Sequence, residues 1–158
     1  MKVNLGDIIL IPLSNGWKAV VKIVFIPVGD FKKVISFIVL DFSQDEQITL
    51  ERLRDKPALP LVAYVDVRYQ IFTAKDYIRN KEWPILFNIP LTEDETQYQI
   101  YQVAGDLYHN ETQIGKISPG EYRNYTALRC AGFGSVDQLL VLTVESMLEK
   151  NQLQIKKI

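Results

Sequence analysis

Three apolar runs near the N-terminus constrain the fold more than any other feature of this sequence. They cover residues 8–13, 17–26 and 34–42, and β-branched residues dominate each of them. Asn15-Gly16 separates the first two runs, and Asn-Gly in this position favours a tight hairpin because both residues tolerate positive φ. We therefore predict an antiparallel meander of three strands, either closed into a small barrel or curled to hide its edges.

The middle of the chain predicts shorter elements. Segments with strand-like composition are residues 61–72, 85–89, 98–104, 107–109 and 113–117. Gly105-Asp106 is the expected turn between two of these strands. We expect Thr73 to cap a short helix through Asn80, because Asp76 stands three residues after it. Ser118, followed by Pro119, is expected to begin another short helix.

The clearest helical pattern lies near the C-terminus, where Ser135 is the expected cap. Apolar residues at helical spacing form one face: Val136, Leu139, Leu140, Val144, Met147 and Leu148. This helix is expected to pack on the sheet. The fold class is thus predicted to be α+β and mostly β, with an SH3-like barrel or a curled sheet at its N-terminus. No linker or repeat divides the chain, so we expect one domain over residues 1–158.

Composition argues against several classes of protein. The formal net charge is -1, whereas nucleic-acid binders usually carry a basic excess that neutralises phosphate. No stretch approaches the roughly 18 apolar residues of a membrane-spanning helix. The single cysteine, Cys130, gives no sign of a disulfide framework. We therefore expect a cytoplasmic protein that uses neither nucleic acid nor membrane as a partner.

Catalytic patterns are weak in this sequence. The usual zinc or two-metal centre needs several histidines, or Cys and His at ligand spacing, and this sequence has a single histidine, His109. Cys130 with His109 as its base would make a thiol nucleophile, but no known signature surrounds the cysteine, and we expect a small buried thiol. The expectation is a protein without catalytic residues, metal or cofactor.

Two acidic segments and a tryptophan are the predicted partner-binding residues. Residues 43–56 contain Asp45, Glu46 and Glu51, and residues 92–96 contain Glu93, Asp94 and Glu95. Such acids either lie in solvated loops or meet a basic partner surface and steer its approach. Trp83 is either a core residue or, if it is exposed, an interface anchor. The sequence leaves both alternatives open, and it leaves the oligomeric state open as well.

Residues 6–19, Gly-Asp-Ile-Ile-Leu-Ile-Pro-Leu-Ser-Asn-Gly-Trp-Lys-Ala, resemble the opening of the immunity protein 26 family. Residues 83–90 are similar to the family's central tryptophan strand, which leads to a proline. Residues 121–126 and 136–150 correspond to its closing helices. Val21 and Phe87 depart from the pattern, because small residues are usual at both positions.

The resemblance implies a bacterial immunity protein, made alongside a polymorphic toxin, that binds its cognate toxin protein and neutralises it by occlusion. It implies no catalytic residue. Two alternatives remain. Residues 6–12 also resemble the first strand of plasmid-maintenance ribonuclease toxins, whose basic group would come from Lys18, Lys22 or Arg68. The other alternative is a non-enzymatic adaptor that binds a protein or peptide.

Overall fold

The computed structural model describes residues 2–45, 47–62, 69–80 and 82–150. The strands in this part of the chain are β1 (Asp7–Pro12), β2 (Lys18–Phe25), β3 (Val34–Ser43), β4 (Gln70–Ala74), β5 (Ile85–Asn88), β6 (Ile100–Val103), β7 (Asp106–His109), β8 (Thr112–Lys116) and β9 (Cys130–Ala131). The α-helices are α1 (Leu50–Leu53), α2 (Asp76–Arg79) and α3 (Phe133–Glu149), and two 3₁₀ helices cover Asp94–Gln99 and Pro119–Asn124.

The fold is α+β and mostly β, as predicted. A six-stranded sheet has the order β5-β1-β2-β3-β4-β9, and β6, β7 and β8 form a separate three-stranded sheet. The pairs from β5 to β4 are antiparallel, whereas β4 and β9 run parallel. The larger sheet is not closed, so the barrel form of the meander does not apply. In the described part of the chain, no helix has the length and apolarity that crossing a membrane requires.

The hairpin between β1 and β2 turns at Asn15-Gly16, as predicted, but the two residues play different parts. Gly16 has φ +89° and donates its N–H to the Leu13 carbonyl at 3.1 Å. Asn15 does not take positive φ; its Oδ1 accepts the Trp17 N–H at 3.1 Å instead. Glycine thus supplies the left-handed backbone, and asparagine stabilises the turn through its side chain.

Both faces of the larger sheet are covered, which explains why its strands are apolar at both parities. On the first face, helices α2 and α3 pack over residues such as Ile9, Val21 and Phe37. On the second face, no α-helix longer than one turn covers the described sheet residues; segments 48–58 and 86–98 pack there against Ile8 and Ile38. The second face is therefore covered mainly by segments without regular secondary structure.

Helix α3 confirms the predicted amphipathic face. Val136, Leu140 and Val144 are fully buried against the sheet. The three other predicted residues of this face are half-buried in the same cluster: Leu139, Met147 and Leu148. The helix begins at Phe133, with Gly132 as its N-cap, so the prediction that Ser135 caps it is wrong by three positions.

Two further predictions need correction. Thr73 lies inside β4 and donates its hydroxyl to the Ala131 carbonyl at 2.8 Å, so it caps no helix. Its neighbour α2 begins at Asp76 without a side-chain cap. The predicted strand over residues 61–72 begins only at Gln70 in β4, and residues 63–68 lie outside the described part of the chain. β4 pairs antiparallel with β3 over five residues and parallel with β9 over two, and the local pattern reveals neither partner.

The smaller sheet packs on the larger one through a cluster of aromatic rings. Its β6–β7 turn falls at Ala104-Gly105, with φ of +49° and +92°, one residue earlier than predicted. Tyr101 is fully buried at the centre of this cluster, with ring centroids 5.3 Å from Phe25 and 5.7 Å from Phe72. Its hydroxyl has no hydrogen-bond partner among the described residues. Burial, followed by the charges of Glu111 and Tyr108, raises the pKa of Tyr101 to about 12.

Tyr101→Phe is expected to keep the free energy of unfolding within about 1 kcal/mol of the wild type at pH 7, or to raise it, because no hydrogen bond is lost. The unfolded tyrosine releases its proton near pH 10 and the folded one near pH 12. Between these values the native state binds more protons, so the wild type loses stability as pH rises and the variant loses less. Urea unfolding at pH 7, 10 and 11 measures both effects.

Tyr77→Phe provides the matched control. The Tyr77 hydroxyl accepts the Phe133 N–H at 2.8 Å, so the same substitution there is expected to cost about 1 kcal/mol at pH 7. A Tyr101→Phe variant with the wild-type loss of stability above pH 10 would contradict the assignment.

Candidate functional site

The two acidic segments chosen from the sequence come together on the second face of the larger sheet. They flank a groove of about 470 Å³. Residues 50–58, which include Leu50, Leu53 and Ala58, form its first wall, and residues 89–98, which include Ile89 and Tyr98, form its second wall. These segments are separated in sequence by more than thirty residues, yet the fold makes them opposite walls of one surface feature.

A buried carboxylate on β3 holds the first wall. Asp41 is 4% exposed, and its Oδ2 accepts from Arg52 Nε at 2.8 Å and from Lys56 Nζ at 3.0 Å. Leu53 packs into the core of the second face, and the Leu59 N–H donates to the Val39 carbonyl at 2.8 Å. Charge pairing, apolar burial and a backbone hydrogen bond therefore fix this segment to the sheet.

A buried ammonium on β2 holds the second wall. Lys22 is 3% exposed and stands in register with Ile8 and Ile38, two apolar residues of the second face. Its Nζ donates to Glu95 Oε1 at 2.7 Å and to the Pro90 carbonyl at 3.1 Å. The same Glu95 oxygen accepts the Thr92 N–H at 2.8 Å. An ammonium buried in an apolar face needs such partners, so its position requires this segment to cover it.

The predicted acidic residues divide into exposed and engaged ones. Glu51, Glu93 and Asp94 are exposed and form no ion pair with any described residue. Asp45 is half-buried, and its Oδ1 accepts the Gln47 N–H at 3.1 Å. Glu95 belongs to the ion pair with Lys22. Glu46 lies outside the described residues.

Trp83, the seventh predicted residue, is in the core. Its side chain is 1% exposed and packs against Phe37, Tyr77 and Phe133 at centroid distances of 6.2, 5.0 and 6.0 Å. Its Nε1 has no hydrogen-bond partner among the described residues. Of the two alternatives that the sequence left open, the structure shows the core position, because α2 and the start of α3 enclose the ring.

The groups considered for catalysis are dispersed. His109 and Cys130 are both exposed, so the prediction of a buried thiol is wrong. Lys22, a candidate for contacting RNA, is buried in an ion pair, and Arg68 lies outside the described part of the chain. Within the ranges that the structure describes, no three His, Cys, Asp or Glu side chains are placed to hold a metal ion.

The predictions from sequence did not identify Lys22 and Asp41 as the buried charges that hold the two walls on the sheet. Lys22 interrupts the apolar run Val20–Val21 to Ile23–Val24, and Asp41 stands between Leu40 and Phe42. A single charge inside an otherwise apolar strand is a signal that a partner of opposite charge must cover it. The sequence shows this need but does not reveal that Glu95, 73 residues away, meets it for Lys22.

Comparisons of the chain with protein-family models, with curated proteins and with solved structures find no match. The likeness to the immunity protein 26 family therefore depends on the sequence of residues 6–19, 83–90, 121–126 and 136–150, and it stays a prediction.

Lys22→Met is expected to lower the free energy of unfolding by about 3 kcal/mol, because Glu95 keeps its charge in a nearly buried position without its partner. Glu95→Gln is expected to cost a similar amount. The double variant should cost at least about 2 kcal/mol less than the sum, since neither charge then remains unpaired. Urea unfolding of the four proteins measures this coupling.

The control is the exposed pair Arg79–Asp76, whose side chains are 62% and 70% exposed at 3.4 Å. Arg79→Met should cost no more than about 0.5 kcal/mol, because solvent screens that pair. Equal costs for Lys22→Met and Arg79→Met would show that the buried pair does not hold the second wall.

Proposed function

We propose that this protein binds another protein through the groove and neutralises it by occlusion, as a bacterial immunity protein does with its cognate toxin. The observation that carries the proposal is that each wall of the groove is fixed to the sheet by an ion pair with a buried charge of the sheet, Lys22 for one wall and Asp41 for the other. A surface that is already ordered loses little conformational freedom on binding, which favours high affinity. The resemblance of residues 6–19 and 83–90 to immunity proteins supports the same proposal.

The charges around the groove favour a basic partner. Glu51, Glu93 and Asp94 are exposed on its walls or beside them. Arg52 and Lys56 are engaged by Asp41, and Arg54, an exposed cation that also lines the groove, is outnumbered by these acids. Acidic groups of this kind raise the rate at which a basic surface approaches and orients. A toxin domain that binds nucleic acid carries such a basic surface, because phosphate contacts require it. In this proposal the protein meets its toxin in the bacterial cytoplasm.

The groove also offers apolar contact. Leu50, 39% exposed, lies at the lip, and Leu53, Ala58 and Ile89 line the interior. A stable interface buries about 1,600 Å² in total, so the partner would extend beyond the groove over both walls. An apolar centre with an acidic rim has the arrangement of specific protein interfaces.

Co-expression tests the function. A toxin domain encoded beside this gene should arrest growth when it is expressed alone, and co-expression of this protein should restore growth. With the purified pair, Glu93→Lys/Asp94→Lys should slow association by about ten-fold or more and flatten its dependence on salt. Stopped-flow measurement at several ionic strengths gives both quantities.

Glu145→Lys/Glu149→Lys is the matched control, because both glutamates are exposed on α3, which covers the opposite face of the sheet. It should leave association unchanged. Equal effects of the two double variants would contradict the groove as the binding surface. Absence of both growth rescue and complex formation would contradict the proposed function itself.

A further inference from the structure

A second cavity, the tyrosine pocket, lies on the other side of Tyr98 from the groove. Its volume is about 460 Å³, within the range of sites for small molecules. The described residues that line it include two arginines, Arg123 and Arg129, and no aspartate or glutamate. Neither arginine forms an ion pair with a described residue. The lining therefore contains two arginines and no carboxylate residue, a composition that attracts an anion.

Two buried amide side chains also line the pocket. Gln102 is 6% exposed; its Oε1 accepts the Gly105 N–H at 3.1 Å, and its Nε2 has no partner among the described residues. Gln70 is 4% exposed; its Nε2 donates to Ser36 Oγ and to the Tyr98 carbonyl, both at 2.6 Å, and its Oε1 is without a described partner. The pocket is thus lined by two buried amides with unpaired groups: Gln102 has free N–H donors, and Gln70 has a free oxygen acceptor.

These two amide atoms are accessible. Two polar side-chain atoms of the described residues are fully buried and without a hydrogen-bond partner: Trp83 Nε1 and Tyr101 OH. The unpaired atoms of Gln70 and Gln102 are not among these, and both residues line the pocket. We therefore expect a ligand in the pocket to reach them. A ligand that hydrogen-bonds to both atoms is favoured, because each buried amide then has partners for all of its polar groups.

Tyrosine rings complete the lining. Tyr69, 41% exposed, and the half-buried Tyr98, Tyr122 and Tyr125 all border the cavity. Aromatic faces of this kind stack on planar ligands such as nucleobases, whatever the identity of the base. A purely aliphatic anion would bind the arginines, but it would neither stack on the tyrosine rings nor hydrogen-bond to the unpaired atoms of the two amides.

We propose that the tyrosine pocket binds a free nucleoside monophosphate. The base stacks on the tyrosines, its hydrogen-bonding edge pairs with Gln102 and Gln70, and the phosphate lies against Arg123 and Arg129. Glutamine pairs with base edges through one donor and one acceptor, and arginine pairs with phosphate through a planar fork. The volume suits a single nucleotide, and a net charge of -1 offers no basic track for a longer strand.

Calorimetric titration of the full chain tests this proposal with AMP, GMP, CMP, UMP, adenosine, inorganic phosphate, a single-stranded hexaribonucleotide and a phosphotyrosine peptide. At least one monophosphate should bind about ten-fold or more tightly than its nucleoside or phosphate alone. Arg123→Gln/Arg129→Gln should remove that advantage and leave nucleoside binding unchanged. Gln102→Leu should weaken the nucleoside and the nucleotide equally, with folding checked by circular dichroism.

Arg79→Gln is the control, because Arg79 is exposed on α2 and does not line the pocket; it should leave nucleotide binding unchanged. Failure of every monophosphate to bind at millimolar concentration would overturn the proposal, as would equal binding to the double arginine variant. Binding of the hexaribonucleotide alone would assign the pocket to single-stranded nucleic acid, and binding of a phosphotyrosine peptide alone would assign it to a protein; either result overturns the proposal as stated.

Discussion

The buried ion pair between Lys22 and Glu95 is the constraint on which the second face of the sheet depends. An ammonium in an otherwise apolar strand destabilises the fold unless a carboxylate and further acceptors cover it. Glu95 at 2.7 Å and the Pro90 carbonyl at 3.1 Å do so, and they bring the whole segment from Ile89 to Tyr98 onto the sheet. Asp41 acts in the same way with the opposite charge for the segment around α1. Two irregular segments thereby cover a face that helices leave open, and the groove is the space between them.

The meander and helix α3 could be predicted because their signals are local. Asn15-Gly16 between apolar runs specifies a hairpin, and apolar spacing specifies the buried face of α3. Elements that depend on distant partners could not be predicted in this way. Thr73 has the spacing of a helix cap, yet β4 pairs with β3 on one side and with β9 on the other, and Thr73 lies in the strand, where its hydroxyl donates to the Ala131 carbonyl. Tertiary pairing overrode the local preference.

The candidate site shows the same division. The sequence indicates both acidic segments, and Glu93 and Asp94 are exposed, which is expected both of solvated loops and of acids that meet a partner. That these segments flank one groove follows from charge pairs spanning up to 73 residues, which periodicity and composition do not encode. The sequence leaves the position of Trp83 open, since a large aromatic ring is suited equally to the core and to an interface. Here the neighbouring rings of Tyr77 and Phe133 place it in the core.

Amide hydrogen exchange of the free protein, followed by NMR, tests most directly whether both walls of the groove are ordered before any partner binds. The account predicts that the amides of Leu59, Glu95 and Thr96 exchange about a hundred-fold or more slowly than in an unfolded chain. It also predicts that Lys22→Met accelerates exchange at Glu95 and Thr96 and leaves Leu59 slow, because Leu59 bonds to β3 independently of Lys22. Exchange of both walls at unfolded-chain rates in the wild type would contradict a preformed binding surface.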